Sequence, residues 1–442
     1  MANTFNFLSN VWQQMQIDFS KNKSLAFILF VLLSIPLSYF INSVFLAILS
    51  ISTVFYYNKE HYKFRFTLFL PVSLYILMVL SLLWSIDVSN TLPSLSKELS
   101  LLIVPLVFMF IGGITENQKQ LLLKYYSIGI FGFVVFYLLK AVFRYSTSHD
   151  ASVFFYHELV TKDVNAIHVS VYVAIAFFYF FTKTIKNAFD YFALVLLFIM
   201  VFLLTSKNII VVFVALMVVY HLFYTKISKQ MRLKNLMLFL LFLFSLTFVG
   251  KIKDRFKEEY ETIMTDSTVN DVISKGSEKV YNVSIKQAWT NRKFQQNDYF
   301  PGTAFRVYQF RVFLELLKED RIFWNGYGLN ASYPKIQQKG IEHNIFLGDG
   351  TQDGYQTKNF HNQYVQNFAE LGVFGFLILI VMLAVNLKNA FKNKDFIHIS
   401  FAILMISLFL TESFLWRQRG VVFFTTMYCL FNSKNFLLNK TQ

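Results

Sequence analysis

The sequence is poor in charged residues and nearly free of cysteine. Only 15% of its 442 residues are charged and 55% are hydrophobic, whereas a soluble domain carries about 25% charged residues. The one cysteine, Cys429, stands in an apolar run, so it has no partner for an internal disulfide and no second thiol for a metal site. The shortage of charge excludes an ordinary soluble domain, and we interpret Cys429 as a small apolar packing residue.

Several motifs for nucleotide and metal chemistry are also missing. There is no Gly-x-x-x-x-Gly-Lys-Ser/Thr sequence, which argues against an ATP-driven pump. There is no His-Glu-x-x-His zinc helix and no Gly-x-Ser-x-Gly nucleophile elbow. Asp349 and Asp353 lie close together, but the spacing of a calcium loop does not continue, so we interpret them as solvated loop acids. No cofactor and no metal site is predicted.

What the sequence has instead is a series of apolar runs, each close to the length of about 20 residues that crosses a bilayer. The mean hydropathy is accordingly positive, at +0.46. In lipid the backbone must satisfy its own hydrogen bonds, so such runs form helices. We predict an all-α polytopic membrane protein with about twelve transmembrane helices. They are placed near 24–40, 42–57, 66–85, 98–114, 122–144, 164–182, 188–204, 208–225, 234–250, 364–387, 396–412 and 420–434.

Basic residues in the short loops set the predicted orientation. Lysine and arginine cluster in loops 59–65, 183–186, 226–234 and 388–394, which fall on one side of a twelve-helix chain. The positive-inside rule makes this side, which also holds both termini, cytoplasmic. This topology explains the net charge of +15 better than nucleic-acid binding does. The first apolar run lacks a basic region before it and a cleavage site after it, so we interpret it as a retained helix.

The same orientation divides the chain into three parts. Residues 1–250 hold helices one to nine, residues 251–363 form one large periplasmic loop with amphipathic helices, and residues 364–442 hold helices ten to twelve. The loop is too long to be a mere connector. Its stretch Phe305–Glu319 has the amphipathic helical pattern of a helix that lies on a membrane surface.

Cations on the predicted periplasmic side run against the positive-inside rule and need a reason. Lys207 stands at the outer mouth of helix eight, and Arg306 and Arg311 stand on the amphipathic stretch. Five residues apart on a helix, the two arginines point about 140° apart, so they do not both face one site. Anion binding and snorkelling to lipid phosphate both stay open for each cation. Two further cations, in the last periplasmic turn after Glu412, are Arg417 and Arg419.

The segment Phe360–Leu377 joins the polar loop to the tenth predicted helix. His361 and Asn362 stand at its polar end, and Gly372 and Gly375 follow in the apolar part. A titratable group at a membrane surface, beside small residues that permit close helix packing, indicates a functional site. The alternative is that His361 is an interfacial aromatic residue and that the glycines only pack helices.

These residues resemble the O-antigen ligase and O-antigen polymerase family of bacterial envelope enzymes. The family motif is His, then Asn, Ser or Gln, and, nine residues later, Gly-x-x-Gly; this chain has His361-Asn362 and Gly372-Val373-Phe374-Gly375. Upstream, an arginine, an aromatic residue and a Gly-x-Gly are typical, and this chain has Arg306, Phe310 and Gly326-Tyr327-Gly328. The remaining similar stretches are Leu83-Trp84-Ser85 with Asp87, and Glu412-Ser413-Phe414-Leu415 through Gln418-Arg419-Gly420.

Two features depart from the family pattern. Ser206-Lys207 stands where the family often has Ser-Arg, so a point charge replaces a bidentate arginine. The histidine motif also occurs in a looser form at His343-Asn344, followed by Gly354. We favour the copy at His361, because the glycines of the other copy fall in a polar loop and no helix follows.

The resemblance implies a GT-C-type fold in the bacterial inner membrane. It also implies metal-independent, inverting glycosyl transfer from undecaprenyl diphosphate at the periplasmic face. We expect His361 to be the catalytic residue, either as a base for the acceptor hydroxyl or as a cation that assists the leaving phosphate. The residues expected to bind the diphosphate are Arg306, Lys207 and Arg311. The residues expected to support the site are Asn362, Gly372, Gly375 and Glu412.

The identity of the acceptor stays open. A ligase would transfer the glycan to lipid A–core, and a polymerase would transfer it to the next lipid-linked repeat; both cleave the same donor bond. A transporter or flippase for an envelope lipid or oligosaccharide is a further alternative. A transporter would carry charged groups at mid-membrane depth and broken helices in related halves. The predicted helices are nearly free of charge at their centres, so we favour the enzyme.

Overall fold

The computed structural model describes residues 12–19, 23–55, 59, 62–225, 230–231, 237, 260–261, 265–270, 273–274, 279–349 and 353–433. Its α-helices are α1 (Lys23–Ser34), α2 (Tyr39–Phe55), α3 (Phe66–Leu80), α4 (Val88–Glu98), α5 (Ser100–Phe110), α6 (Glu116–Ser148), α7 (Tyr156–Leu159), α8 (Ala166–Thr182), α9 (Ala188–Leu203), α10 (Lys207–Val219), α11 (Ile285–Thr290), α12 (Gly302–Glu319), α13 (Tyr333–Glu342), α14 (Gln363–Asn393), α15 (Phe396–Phe409) and α16 (Gln418–Asn432). Short strands β1 (Thr268–Val269), β2 (Tyr281–Asn282) and β3 (Asp298–Tyr299) form a small sheet. β2 pairs antiparallel with β1 and parallel with β3.

Among the described residues, five apolar helical stretches are long enough to cross a membrane. They are Phe66–Leu83, Val88–Phe110, Glu116–Ser148, Lys207–Tyr224 and Gln363–Asn393. Helices α1, α2, α8, α9 and α15 are apolar but shorter. The predicted class, a helical polytopic membrane protein, is thereby confirmed. The predicted helix at 234–250 lies outside the described residues except for residue 237, so the count of twelve and the periplasmic location of 251–363 stay predictions.

One of the five stretches carries charge near its middle, contrary to the sequence-based expectation. Val88–Phe110 contains Lys97 and Glu98 at the junction of α4 and α5. Lys97 Nζ lies 5.4 Å from the centre of the Trp416 ring, and Glu98 is 4% exposed. Because α4 packs against α16 and against the turn that precedes it, protein covers Glu98, whereas Lys97 stays exposed beside the Trp416 ring.

The basic loops gather at one end of the helix bundle. A capping box of Thr115 and Gln118 starts α6 there, and Asp395 caps the start of α15. Lys119 of α6 donates to Asp395, which joins the two helix starts. The same end holds the basic turns 183–186 and 388–394, and Arg65 of loop 59–65 reaches the carbonyl of Gly112 at 3.5 Å. The fourth basic loop, 226–234, lies mostly outside the described residues.

The polar segment before α14 has an apolar core of its own. α12 turns Phe305, Tyr308, Val312 and Phe313 into this core, where they meet buried aromatic residues of the flanking loops. Protein covers much of the apolar face of this helix, although Phe310 stays 42% exposed. The location of the helix on the membrane surface stays a prediction.

Three of the sequence motifs contact one another at the first half of α14: Leu83-Trp84-Ser85, Gly326-Tyr327-Gly328 and the motif that contains Gly372. The indole of Trp84 donates to the carbonyl of Asn325 at 2.8 Å, and Gly328 packs against Ser85. The N–H groups of Tyr327 and Gly328 donate to the carbonyls of Ala369 and Glu370 in α14, at 2.9 and 2.8 Å. The segment Phe323–Gly328 is thus held between the turn after α3 and the first half of α14.

Gly372 breaks α14 at the place where this segment docks. Its φ of 65° and ψ of −164° are not helical, and such a φ is open to glycine at little cost. A Cβ built on Gly372 would lie 2.0 Å from the carbonyl oxygen of Trp324. The N–H of Val373, freed by the break, donates to the carbonyl of Phe323 at 2.8 Å. Because the helix is broken at Gly372, the carbonyl of Phe323 takes the place of a helical hydrogen-bond acceptor for Val373.

Candidate active site

A cavity of about 860 Å³ lies at the end of the bundle opposite the basic loops. It is bounded by the turn between α1 and α2, by the segment from α7 to the start of α8, and by the starts of α12, α14 and α16. Its charged lining is mainly basic: Lys162, Arg306, Lys358, Arg417 and Arg419 stand against Asp163 and Glu412. Two histidines, His157 and His361, also line it. The surplus of cations makes the cavity suited to an anionic ligand.

His361 is held in an unusual backbone conformation at the edge of this cavity. Its φ is 48°, which few residues other than glycine adopt without support from their surroundings. Its N–H donates to Asn359 Oδ1 at 3.0 Å, and its ring meets the edge of the Phe305 ring at 5.6 Å between centres. Asn362 caps α14 by accepting hydrogen bonds from the N–H groups of Tyr364 and Val365. The Asn362 cap of α14 and the backbone conformation of His361 together fix the position of the imidazole.

The imidazole of His361 faces a buried carboxylate. His361 Nδ1 lies 3.5 Å from Glu412 Oε2, and 29% of the His361 side chain is exposed against 6% of that of Glu412. Burial raises the pKa of the Glu412 carboxyl, but the hydrogen bond and the charge of His361 outweigh it and bring the pKa to about 2. Glu412 is therefore an anion near neutral pH. It favours the ring tautomer that carries its proton on Nδ1, which leaves Nε2 able to accept one.

Arg306 stands beside the His361–Glu412 pair with two of its nitrogens occupied. Nε donates to the carbonyl of Thr411 at 2.6 Å, and Nη1 donates to the carbonyl of Gly302 at 2.8 Å. Within the described part of the chain, Nη2 has no hydrogen-bond partner. The guanidinium is therefore oriented by neutral carbonyls and keeps its charge for a ligand.

Arg417 and Arg419 lie close in sequence, but their side chains have different contacts. Arg419 is 4% exposed, and it donates to the carbonyls of Asp163 and of Leu37, the latter at 2.6 Å. Its guanidinium also lies 4.1 Å from the centre of the Tyr39 ring. Arg419 therefore connects α16 with the turn between α1 and α2 and with the segment that precedes α8. Arg417 makes no side-chain hydrogen bond to the residues that the structure describes, so it is a cation directed at the cavity itself.

The structure separates the other two predicted diphosphate ligands from this cavity. Arg311 donates to Glu315 at 2.8 Å and to the carbonyl of Asn291, and it is not among the described residues that line the cavity. Lys207 begins α10 and does not line it either. Of the predicted supporting residues, Glu412 lines the cavity. Asn362, Gly372 and Gly375 lie in or next to α14 and are not among the described residues that line the cavity.

The second copy of the histidine motif lies in the core of the polar segment. His343 is 8% exposed, with Nδ1 3.0 Å from the hydroxyl of Tyr308 and Nε2 3.1 Å from Glu315. Burial lowers the pKa of His343, although Glu315 opposes the shift. His343 and Arg311 thus share Glu315 as a partner, and both hold α12 in place.

Sequence reasoning did not assign Arg417, Lys162 or Lys358 to the site. Arg417 is a cation on the predicted periplasmic side, and such a departure from the positive-inside rule is a usable signal. Lys162 and Lys358 sit in ordinary polar loops far apart in the chain, and only the fold brings them to one cavity. Nothing in their local sequence distinguishes them from solvated lysines.

The geometry supports the transfer of a group that leaves as an anion. An oriented arginine and further cations can stabilise negative charge as it develops on a leaving group. A histidine with a carboxylate on its other ring nitrogen can accept a proton from an attacking hydroxyl. The cavity brings both functions to one place.

Comparison with known proteins supports the family resemblance. Residues 192–380 match the family model described as O-antigen ligase, so the resemblance is confirmed over that part of the chain. The match includes Arg306 and His361 but ends before Glu412. No curated protein matches the chain. A match to this family indicates a membrane glycosyltransferase of the O-antigen ligase or polymerase type.

Proposed function

We propose that this protein transfers a glycan from an undecaprenyl-diphosphate donor to lipid A–core, as an O-antigen ligase at the periplasmic face of the bacterial inner membrane. The observation that carries the proposal is that Arg306 and the His361–Glu412 pair line one basic cavity at the end of a helical membrane bundle. The family match over residues 192–380 supports the choice of substrate class. The distances and contacts in the cavity support the role proposed for each residue.

The donor diphosphate binds between Arg306 and Arg417 in this proposal. Arg306 presents a fixed fork, because its Nε and Nη1 are already oriented by carbonyls. Arg417 and Lys358 add charge from the other walls of the cavity. These cations bind the diphosphate more strongly as the glycosidic bond breaks, because its negative charge then increases. Such stabilisation of the leaving group needs no metal ion.

His361 acts as the general base. The acceptor hydroxyl attacks the anomeric carbon of the donor sugar while the bond from that carbon to the diphosphate oxygen breaks. The hydroxyl proton passes to His361 Nε2, Glu412 stabilises the imidazolium that results, and the diphosphate leaves with the bonding electron pair. A single displacement of this kind inverts the anomeric centre.

Deletion of the gene, followed by analysis of the envelope glycan, tests the proposal. A ligase predicts loss of attached glycan together with accumulation of lipid-linked polymer, and complementation with the wild-type chain should reverse both. Single repeats in place of long chains would instead identify a polymerase. An unchanged envelope glycan would contradict both, whereas loss of envelope glycan with lipid-linked glycan accumulating on the cytoplasmic side would favour a transporter.

A further inference from the structure

Gln366 lies one turn into α14, close to the active cavity but not in it. It is 1% exposed, and it is not among the described residues that line the cavity. A buried amide of this kind is stable only when its donors and acceptors are paired. Its partners therefore indicate what it holds in place.

The amide oxygen of Gln366 joins the two chain segments that carry the catalytic pair. Gln366 Oε1 accepts hydrogen bonds from the N–H of Phe360 at 3.3 Å and from the hydroxyl of Ser413 at 3.4 Å. Phe360 directly precedes His361, and Ser413 directly follows Glu412. One acceptor atom thus contacts the neighbours of both partners.

The other end of the amide fixes its orientation. Gln366 Nε2 donates to Glu370 Oε1 and lies 3.4 Å from the hydroxyl of Ser332. Glu370 is 4% exposed and also accepts from the hydroxyl of Ser332 and from the backbone of Asn330. A reversed amide would turn its NH₂ group against the N–H of Phe360, which can only donate. Gln366 is therefore locked with its oxygen toward the catalytic segments.

We propose that Gln366 is a positioning residue for glycosyl transfer, which holds His361 and Glu412 in register by fixing the backbone beside each of them. The inference rests on the proposed function of His361 as the base. The pair needs such support, because its contact of 3.5 Å is long and His361 has the strained φ of 48°. A small displacement of either segment separates the imidazole from its carboxylate.

Gln363, on the same face of α14, provides a matched control. It is 3% exposed, its Oε1 accepts from the N–H of Leu415 at 2.7 Å, and its Nε2 donates to Asn367 at 2.7 Å. Gln363 is therefore also a buried amide. It accepts a hydrogen bond from the 413–415 turn and donates one to Asn367, four residues later in α14. Unlike Gln366, it makes no side-chain hydrogen bond to the backbone beside His361 in the described structure.

The first test compares Gln366→Met with Gln363→Met in the full-length protein at matched levels in the membrane. We expect Gln366→Met to lower kcat for glycan transfer by about 10- to 100-fold, as displacement of a catalytic group by about 1 Å does, with little change in the KM of the donor. Gln363→Met should lower kcat by less than about threefold. Equal losses in the two variants, or a raised KM at constant kcat for Gln366→Met, would overturn the inference.

The second test exchanges the side chains at positions 366 and 370, which form a hydrogen bond with each other. In the double variant Gln366→Glu with Glu370→Gln, a carboxylate accepts from Phe360 and Ser413, and the new amide at position 370 can donate to it. We expect this exchange to restore kcat to within about fivefold of wild type, because the acceptor beside the catalytic segments is back in place. A folded double variant as slow as Gln366→Met would show that the hydrogen bonds do not act as proposed.

A third measurement does not depend on catalysis. Diethyl pyrocarbonate modifies exposed imidazoles, and mass spectrometry reports the rate at His361. We expect this rate to rise severalfold in Gln366→Met and to stay near wild type in Gln363→Met, because release of Phe360 frees the imidazole. Faster modification in a protein whose wild type transfers no glycan would retain the positioning role and reject the proposed function. Unchanged modification in Gln366→Met would reject the positioning role even if the wild type is an active transferase.

Discussion

Arg306 donates from Nε to the main-chain carbonyl of Thr411, at 2.6 Å, and Thr411 is the residue next to Glu412. The arginine expected to bind the donor diphosphate and the carboxylate expected to support the base therefore share one turn of backbone. Motion of this turn would displace the guanidinium of Arg306 and, through Glu412, the imidazole of His361.

Replacement of Arg306 by lysine should lower transfer activity strongly. Lysine keeps the charge but cannot donate to the carbonyls of Thr411 and Gly302 and still present a fork to phosphate, so we expect a loss of about tenfold or more. Arg311→Lys is the control, because Arg311 binds Glu315 outside the cavity. Near-normal transfer by both variants would remove the phosphate role of Arg306.

Replacement of His361 by alanine should abolish glycan transfer at matched protein levels in the membrane, because the base is lost. His343→Ala should destabilise the polar segment, since His343 is bonded to Tyr308 and Glu315, but the folded fraction should still transfer glycan. Transfer by the purified variants in detergent, normalised to folded protein, checks this. An active His361→Ala protein would contradict the proposed chemistry.

The stabilising effect of Glu412 should depend on pH. Its pKa is lowered from the ordinary value of 4.5 to about 2 in the folded protein, so the folded state binds fewer protons than the unfolded state between these values. Its contribution to the free energy of unfolding is therefore complete above about pH 5 and is lost as the pH falls toward 2. Thermal unfolding of Glu412→Gln should show a deficit against wild type that is largest near pH 7 and smaller near pH 3. A deficit that stays constant across this range would contradict the lowered pKa of Glu412.

Replacement of Gly372 by alanine should destabilise the protein and reduce transfer, although the residue lies outside the cavity. The new Cβ would meet the carbonyl of Trp324 at 2.0 Å and would force an unfavourable φ of 65°, at a cost of about 1–3 kcal/mol or more. Gly132→Ala in α6 is the matched control, because nothing lies within 4 Å of its Cβ. Alanine there should be neutral or should stabilise the helix by about 0.5–1 kcal/mol. Equal unfolding temperatures for the two variants would contradict the docking role of the helix break.

Labelling of introduced cysteines tests the predicted topology. The one native cysteine, Cys429, is buried, so it should give little background. Lys286→Cys should react with an impermeant thiol reagent in intact spheroplasts, because Lys286 lies in the predicted periplasmic loop. Thr184→Cys, in a predicted cytoplasmic turn, should react only after permeabilisation. The reverse pattern would invert the orientation and would place the cavity in the cytoplasm.

The helical class of the fold was predictable because apolar runs of membrane length have few alternatives in lipid. The prediction that Arg306 and Arg311 point to different places also followed from sequence, because helical geometry alone separates them. The structure agrees, with Arg306 at the cavity and Arg311 on Glu315. Local periodicity was sufficient in these cases, because each conclusion concerned a single helix.

Other features depended on contacts between distant segments, and local sequence carried no sign of them. The break at Gly372 exists because the chain near Trp324 docks there, and a glycine in an apolar helix is equally compatible with plain helix packing. The amphipathic pattern of α12 has the same period whether lipid or protein covers its apolar face. The contact of His361 with Glu412 likewise joins two helix ends that sequence spacing cannot relate.

The bond from Arg419 to the carbonyl of Leu37 joins residues near opposite ends of the chain. During synthesis the α1–α2 turn reaches the membrane long before its partner in α16 exists. Contacts of such high contact order close late and slowly. The cavity therefore cannot form on a nascent or truncated chain, and a protein that lost its last helix would bind lipid without a complete wall around His361. Complete synthesis of α16 is therefore a precondition for a closed cavity wall around His361.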